Sequence, residues 1–257
     1  MSHADGLKAL LADWLLGQAD DQMILAHRNS EWTGHAPILE EDIAFANIAL
    51  DEMGHAQLFY QLLAGLLDED RASYPDSLVF QRQAPAFRNV QLVELPKGDW
   101  AFTIMRQFLF DAWESILLPA LTDSSFKKLA QAAAAMVNEE KYHFHHCQVW
   151  LLRLGLGTAE SSRRMQRALD ALWQPAQQLF HLPEAQVELV QEDWLPSYSR
   201  LQEQWLSLIE PYFEQAKLTP PDVKEIPVAP RSQHGEQLMD LLGEMQMVAR
   251  VFPGEEW

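Results

Sequence analysis

The sequence contains little cysteine and no long apolar run. Its single cysteine, Cys147, cannot form an internal disulfide bond, which is typical of a protein in a reducing cytoplasm. Every apolar stretch is interrupted by a charged or amide residue before the ~18 residues that a transmembrane helix requires, and the first residues lack the basic and apolar segments of a secretory signal. We therefore expect a cytoplasmic protein that does not enter a membrane.

Basic residues are scarce. The chain has 19 Lys and Arg residues against 37 Asp and Glu residues, which gives a formal charge of −18. Such a surface repels nucleic-acid backbones and anionic lipids, so we expect no nucleic-acid partner. One basic cluster, Arg163, Arg164 and Arg167, could contact an anionic ligand such as a coenzyme A ester, although charges at helical spacing more often form a solvated helix face.

No segment shows the alternating pattern of a β-strand, whereas apolar residues recur at spacings of three and four almost everywhere. The sequence therefore predicts an all-α fold. The predicted helices cover residues 5–32, 39–67, 99–121, 124–154, 160–180, 197–216 and 233–250. Prolines place residues 70–97 in a loop that holds at most a short helical piece, and they predict a second irregular connection from residue 218 to 230.

The predicted helices suggest one domain. A chain of 257 residues that is 48% hydrophobic can bury a sizeable core. Two long hairpins, 5–67 and 99–154, predict an antiparallel four-helix bundle over residues 5–154, with further helices packed outside it over 160–250. We therefore expect a single domain over residues 1–257.

Two of these helices carry a glutamate and a histidine three residues apart on an otherwise apolar face. The pairs are Glu52–His55 and Glu140–His143. A single pair of this kind is typical of a surface ion pair on a helix. On core-facing positions, however, an unpaired charge is costly, so these carboxylates need a cation or hydrogen-bond donors.

The other two helices of the predicted bundle contribute one carboxylate each. Asp111 precedes Glu140 by 29 residues, which places the two at similar heights on antiparallel neighbours, given a rise of ~1.5 Å per residue. The same relation to Glu52 on the first helix gives residues 21–23, where Asp21 lies. The register therefore predicts one carboxylate ligand on each of these helices.

One carboxylate from each of two helices and a Glu-x-x-His pair from each of two others is the pattern of di-iron and di-manganese carboxylate bundles. Carboxylate oxygens with two imidazoles are suitable ligands for two iron ions that bind dioxygen. We therefore predict a di-iron centre, and a buried polar network without metal is the alternative. The predicted ligands are Asp21, Glu52, His55, Asp111, Glu140 and His143.

Several segments resemble the C subunits of phenylacetyl-CoA epoxidases, which belong to the ferritin-like di-iron carboxylate superfamily. They are EWTGHAP at 31–37, AFANIALD at 44–51, FDAW at 110–113, EKYH at 140–143 and LGEMQMVARVFPGEEW at 242–257. The resemblance covers essentially the whole chain. It implies a ferritin-like bundle in a complex that uses dioxygen and reductant to epoxidise the ring of phenylacetyl-CoA during aerobic phenylacetate degradation.

The resemblance also implies partners. They are a homologous di-iron catalytic A subunit, other oxygenase subunits and a reductase, with the C subunit as a structural, accessory partner. The segment DEMGH at 51–55, however, is similar to the Asp-Glu-x-x-His segment of the catalytic subunit. A di-iron, oxygen-activating role for this chain itself is therefore an alternative, and a ferritin-like storage protein is a third.

Two further expectations come from this comparison. The segment HRNSE at 27–31 resembles the first ligand segment of the catalytic subunit and favours Glu31 as a ligand. Glu31, however, lies only 21 residues before Glu52 and is out of register with it. We therefore predict Asp21 as the ligand, with Glu31 as the alternative.

Apolar residues on the third predicted helix also exceed one core-facing stripe and predict a partner interface. They are Phe102, Phe110, Trp113 and Leu117.

Overall fold

The computed structural model describes residues 3–222 and 228–253. Within these residues there is no strand, and the chain forms eleven α-helices and three short 3₁₀ turns. The helices are α1 (His3–Ser30), α2 (Leu39–Leu67), α3 (Tyr74–Phe80), α4 (Gln91–Glu94), α5 (Trp100–Leu121), α6 (Lys127–Gly155), α7 (Ala159–Ala176), α8 (Val187–Gln191), α9 (Tyr198–Ala216), α10 (Glu236–Met245) and α11 (Met247–Val251). The predicted all-α helical-bundle class is confirmed.

The chain divides into two compact units. Unit 1 contains α1 to α4 together with α10 and α11, and unit 2 contains α5 to α9. None of the helices in the described part of the chain is sufficiently long and apolar to cross a membrane.

Unit 1 is built on the antiparallel hairpin of α1 and α2. The turn between them includes Gly34, whose φ of 79° is a backbone conformation that glycine adopts without strain. Long apolar side chains such as Leu11 and Phe59 are buried in this unit. The short helices α3 and α4 pack against α2 and α1 respectively, and α10 packs against α4. The C-terminal helices therefore complete the same unit that the N-terminal hairpin begins.

Unit 2 is built on the hairpin of α5 and α6, and α7 and α9 pack against both helices. The side chain of Asp99 caps α5 by accepting a hydrogen bond of 2.9 Å from the Phe102 amide. On α9, the indole N–H of Trp205 donates to the Leu109 carbonyl of α5 over 3.1 Å. The bond from Trp205 connects α9 to α5.

The prediction of a partner interface on α5 is wrong for three of its four residues. Phe110, Trp113 and Leu117 are buried within this chain, and Trp113 makes ring contacts with Phe180 and Tyr198. The surplus of apolar residues on this helix is therefore explained by intramolecular packing.

Most predicted helices agree with the structure to within a few residues. The segment 70–97, predicted as loop with a short helical piece, contains α3, α4 and a 3₁₀ turn, while α8 was not predicted. The last predicted helix, 233–250, is divided at Gln246 into α10 and α11. Part of the predicted irregular connection, residues 223–227, lies outside the described residues, as do residues 254–257.

Candidate functional site

The first predicted Glu–His pair lies on α2 in unit 1. Glu52 and His55 are both buried, and the His55 Nδ1 atom lies 3.9 Å from the Glu52 Oε2 atom. A separation of three residues places both side chains on one side of the helix, and on α2 this side is buried. The sequence therefore located this pair and its buried face correctly.

The second pair belongs to a larger polar group in unit 2. His143 Nδ1 lies 3.1 Å from Glu140 Oε1 on α6, and both side chains are buried. On α5, Asp111 is buried and accepts a hydrogen bond of 2.6 Å from the side-chain amide of Gln107. We call Glu114, Glu140 and His143 the unit 2 cluster.

Glu114 is the member of this cluster that was not predicted from the sequence. It is buried on α5, and one of its carboxylate oxygens lies within 4.8 Å of a carboxylate oxygen of Glu140. A signal was present, because Glu114 follows Asp111 by three residues and a helix places such residues on the same side.

Each unit therefore contains buried side chains of the types that hold metal ions. Glu52 and His55 in unit 1, and Glu114 and Glu140 in unit 2, each offer one potential ligand atom. Carboxylate oxygen with imidazole nitrogen is a donor set that iron and other first-row transition metals accept.

Asp21, the predicted ligand of the first helix, is buried but has other partners in unit 1. Its Oδ1 atom accepts a hydrogen bond of 2.6 Å from the Val90 amide, and its Oδ2 atom forms a 2.7 Å ion pair with Arg231. Burial raises the pKa of Asp21 to about 6, and the positive charge of Arg231 opposes this increase. A metal ion at Asp21 would therefore have to displace the Val90 amide and the Arg231 guanidinium or bind beside them.

Glu31, the alternative, is also engaged. It lies in the turn after α1, where its Oε1 atom forms a 2.6 Å ion pair with Arg28 and where its side chain is 23% exposed. Arg28 also donates to the backbone carbonyl of Glu94. These contacts support a structural role for Glu31, and its role as a ligand stays a prediction.

Asp20, which precedes Asp21 on α1, is also buried and was not predicted. It accepts hydrogen bonds from the Tyr60 hydroxyl at 2.6 Å, from Arg82 Nη1 at 3.0 Å and from the Arg88 amide at 2.7 Å. Burial raises the pKa of the Tyr60 hydroxyl, and the adjacent Asp20 carboxylate raises it further. The network ties the loop that precedes α4 to the hairpin.

The basic cluster on α7 has acidic neighbours. Arg163 and Arg164 both pair with Glu160, over 2.6 Å and 2.7 Å, and Arg164 also pairs with Asp99. All four of these side chains are largely exposed. This arrangement favours the interpretation of the cluster as a solvated helix face, because the charges of Arg163 and Arg164 are already paired.

Comparison with known proteins relates nearly the whole chain to one family. A family model described as phenylacetic acid catabolic protein matches residues 2–257. The C subunit of the 1,2-phenylacetyl-CoA epoxidase of Escherichia coli (strain K12) is 36% identical over 248 residues, which cover 96% of this chain and 99% of that protein. The resemblance inferred from the sequence segments is therefore confirmed, and the chain belongs to the phenylacetic acid catabolic protein family.

Proposed function

We propose that the chain is the accessory, C-type subunit of a cytoplasmic phenylacetyl-CoA epoxidase that takes part in phenylacetate degradation. The observation that carries the proposal is the 36% identity to the C subunit of such an epoxidase across 99% of that protein's length. Its partners would be a homologous di-iron catalytic subunit, other oxygenase subunits and a reductase, and phenylacetyl-CoA would be the substrate of the complex.

The contacts of the first helix support an accessory role. A di-iron carboxylate bundle needs a carboxylate from each of two helices in addition to its two Glu-x-x-His pairs. In this chain Asp21 is ion-paired to Arg231 and Glu31 is ion-paired to Arg28. A guanidinium bound to a carboxylate competes with a metal ion for the same oxygens, so these interactions favour structural roles for both residues.

Co-purification tests the proposal. The chain would be co-expressed with a tagged catalytic A subunit of a phenylacetyl-CoA epoxidase, and the complex would be analysed by size-exclusion chromatography and by assay of phenylacetyl-CoA turnover. We expect a stable hetero-oligomer at micromolar concentration and turnover that requires both chains. A chain that fails to associate, or that turns over phenylacetyl-CoA without the A subunit, would reject the accessory role.

A second candidate function is that this chain holds its own di-iron centre. The observation that favours it is the burial of Glu52 with His55 and of Glu114 with Glu140 and His143. In unit 1, Glu52 and His55 are of the types that would hold iron, as are Asp111, Glu114, Glu140 and His143 in unit 2, and bound iron would supply dioxygen activation. The residues of the chain would orient the donors and keep bulk water away from them.

Iron analysis separates the two candidates at this site. If the chain holds a di-iron centre, protein produced with iron should retain about two ions per chain, and Glu114→Gln with Glu140→Gln should release at least one of them. The exposed neighbour Glu139 provides a matched control, since Glu139→Gln should leave the iron content unchanged. Folded, soluble chain that retains no iron would exclude this second function.

A further inference from the structure

Unit 1 contains a cleft of about 820 Å³ whose lining does not include the buried Glu52–His55 pair. Its walls come from α1, α2, α3 and the end of α10. Its lining is mainly apolar, and it includes Met23, Leu50, Met53, Val79, Phe80 and Met245. The volume lies within the range typical of small-molecule sites, and methionine side chains adapt readily to ligand shape.

One cation, the solvent-exposed Arg71, lines this cleft. Arg71 has no hydrogen bond or ion pair with any residue in the described part of the chain, although acidic residues greatly outnumber basic ones in the sequence. Its guanidinium lies against Gly65 on α2, where a Cβ atom would lie 2.8 Å from Arg71 Nε. The absence of a side chain at position 65 therefore provides the space that the guanidinium occupies.

The other ionisable groups of the cleft are less suited to bind an anion. Burial lowers the pKa of His27, so this side chain is neutral near pH 7. The Tyr60 hydroxyl already donates to Asp20. Asp76 lines the cleft and carries a negative charge. Arg71 is thus the positively charged group that a ligand in this cleft would meet.

We propose that this cleft binds amphipathic carboxylates, with an alkyl chain or aromatic ring among the apolar side chains and the carboxylate on Arg71. The planar guanidinium matches the geometry of a carboxylate, which it binds through two parallel hydrogen bonds. The apolar lining removes hydrocarbon from water, which provides the remaining attraction. This site is independent of the metal-ligand residues and of the proposed accessory function.

Calorimetric titration of the full chain with decanoate, below its micellar concentration, tests the site. Arg71→Gln should weaken decanoate binding by about 10- to 100-fold, because the charge-assisted hydrogen bonds to the carboxylate are lost, and should leave the affinity for decanol unchanged. Asp76→Asn should tighten decanoate binding, since it removes a like charge. Circular dichroism would establish that each variant is folded.

Two glycines on α2 provide a matched pair of variants. Gly65→Ala should weaken decanoate binding because the new methyl group displaces the guanidinium of Arg71. Gly54 also lines the cleft, but a Cβ at this position meets no atom within 4 Å, so Gly54→Ala should leave decanoate binding unchanged. The proposal is overturned if decanoate does not bind at millimolar concentration, if decanol binds equally well, or if Arg71→Gln leaves decanoate affinity unchanged.

Discussion

At the scale of single residues, unit 1 shows how adjacent carboxylates can be buried. Consecutive positions on a helix point in directions ~100° apart, so Asp20 and Asp21 reach different partners. Asp20 binds Arg82 and Asp21 binds Arg231. Each buried charge is thus paired and hydrogen-bonded, and removal of either arginine would leave an uncompensated carboxylate.

Asp21 should make the stability of the chain depend on pH. Burial raises its pKa from 3.8 to about 6, so the folded chain holds this proton more tightly than the unfolded chain does. The stabilisation is full below about pH 4 and decreases as the pH rises through about 6. The asparagine of Asp21→Asn does not titrate, so this variant does not lose the stabilisation. Between about pH 4 and pH 6, its free energy of unfolding should therefore rise by on the order of 2–3 kcal/mol relative to that of the wild type.

Urea denaturation across this pH range measures the effect. Asp13→Asn is a suitable control, because Asp13 lies on the same helix with a side chain that is 54% exposed. The difference from the wild type should change with pH more for Asp21→Asn than for this control. A difference between Asp21→Asn and the wild type that stays constant across this pH range would contradict the raised pKa of Asp21.

The sequence predicted the candidate site in part. Glu52–His55 and Glu140–His143 were identifiable because helical spacing alone places each pair on one face, and both pairs are buried. The partner of Asp21 could not be identified in this way, since Arg231 is 210 residues away along the chain and no local pattern links them. Tertiary contacts of this kind are decided by packing and not by periodicity.

At the scale of secondary structure, apolar periodicity and proline positions were sufficient to predict every long helix. The division of the last one at Gln246 was not predictable, because it involves distant residues. The buried amide of Gln246 donates to the carbonyls of Val79 at 2.7 Å and Arg82 at 3.0 Å. These bonds satisfy backbone groups at the end of α3 and connect the C-terminal helices to that part of unit 1.

The contact between α6 and α9 depends on Gly155. A Cβ at this position would lie 2.8 Å from both the Cβ and the carbonyl oxygen of Ala216, so the backbone of one helix would have to move. Gly155→Ala should therefore lower the free energy of unfolding by about 1–3 kcal/mol. Thermal and chemical denaturation monitored by circular dichroism would measure this change.

Gly243 on α10 provides the control for this prediction. A Cβ there meets no atom within 4 Å, so Gly243→Ala should stabilise the chain by about 0.5–1 kcal/mol through its helix propensity. Equal effects of the two substitutions would show that the close approach at Gly155 does not determine the packing of α6 against α9.

At the scale of the whole molecule, the family match includes the helices after α6 as well as the two hairpins. In unit 2 these later helices are part of the core, since Trp113 of α5 is buried against Phe180 and Tyr198. The accessory role that we propose therefore requires the whole chain and does not reside in the Glu-x-x-His helices alone.

The central claim is that this chain supports catalysis by its partner without contributing metal ligands of its own. The most direct test is to reconstitute the epoxidase with a Glu52→Gln, Glu114→Gln, Glu140→Gln variant and to measure phenylacetyl-CoA turnover, after circular dichroism and size-exclusion chromatography have established that the variant folds and assembles. Glu139→Gln serves as the exposed control. We expect turnover close to that of the wild-type complex. Loss of turnover in a fully assembled complex would contradict the account and would show that this chain's own carboxylates take part in the reaction.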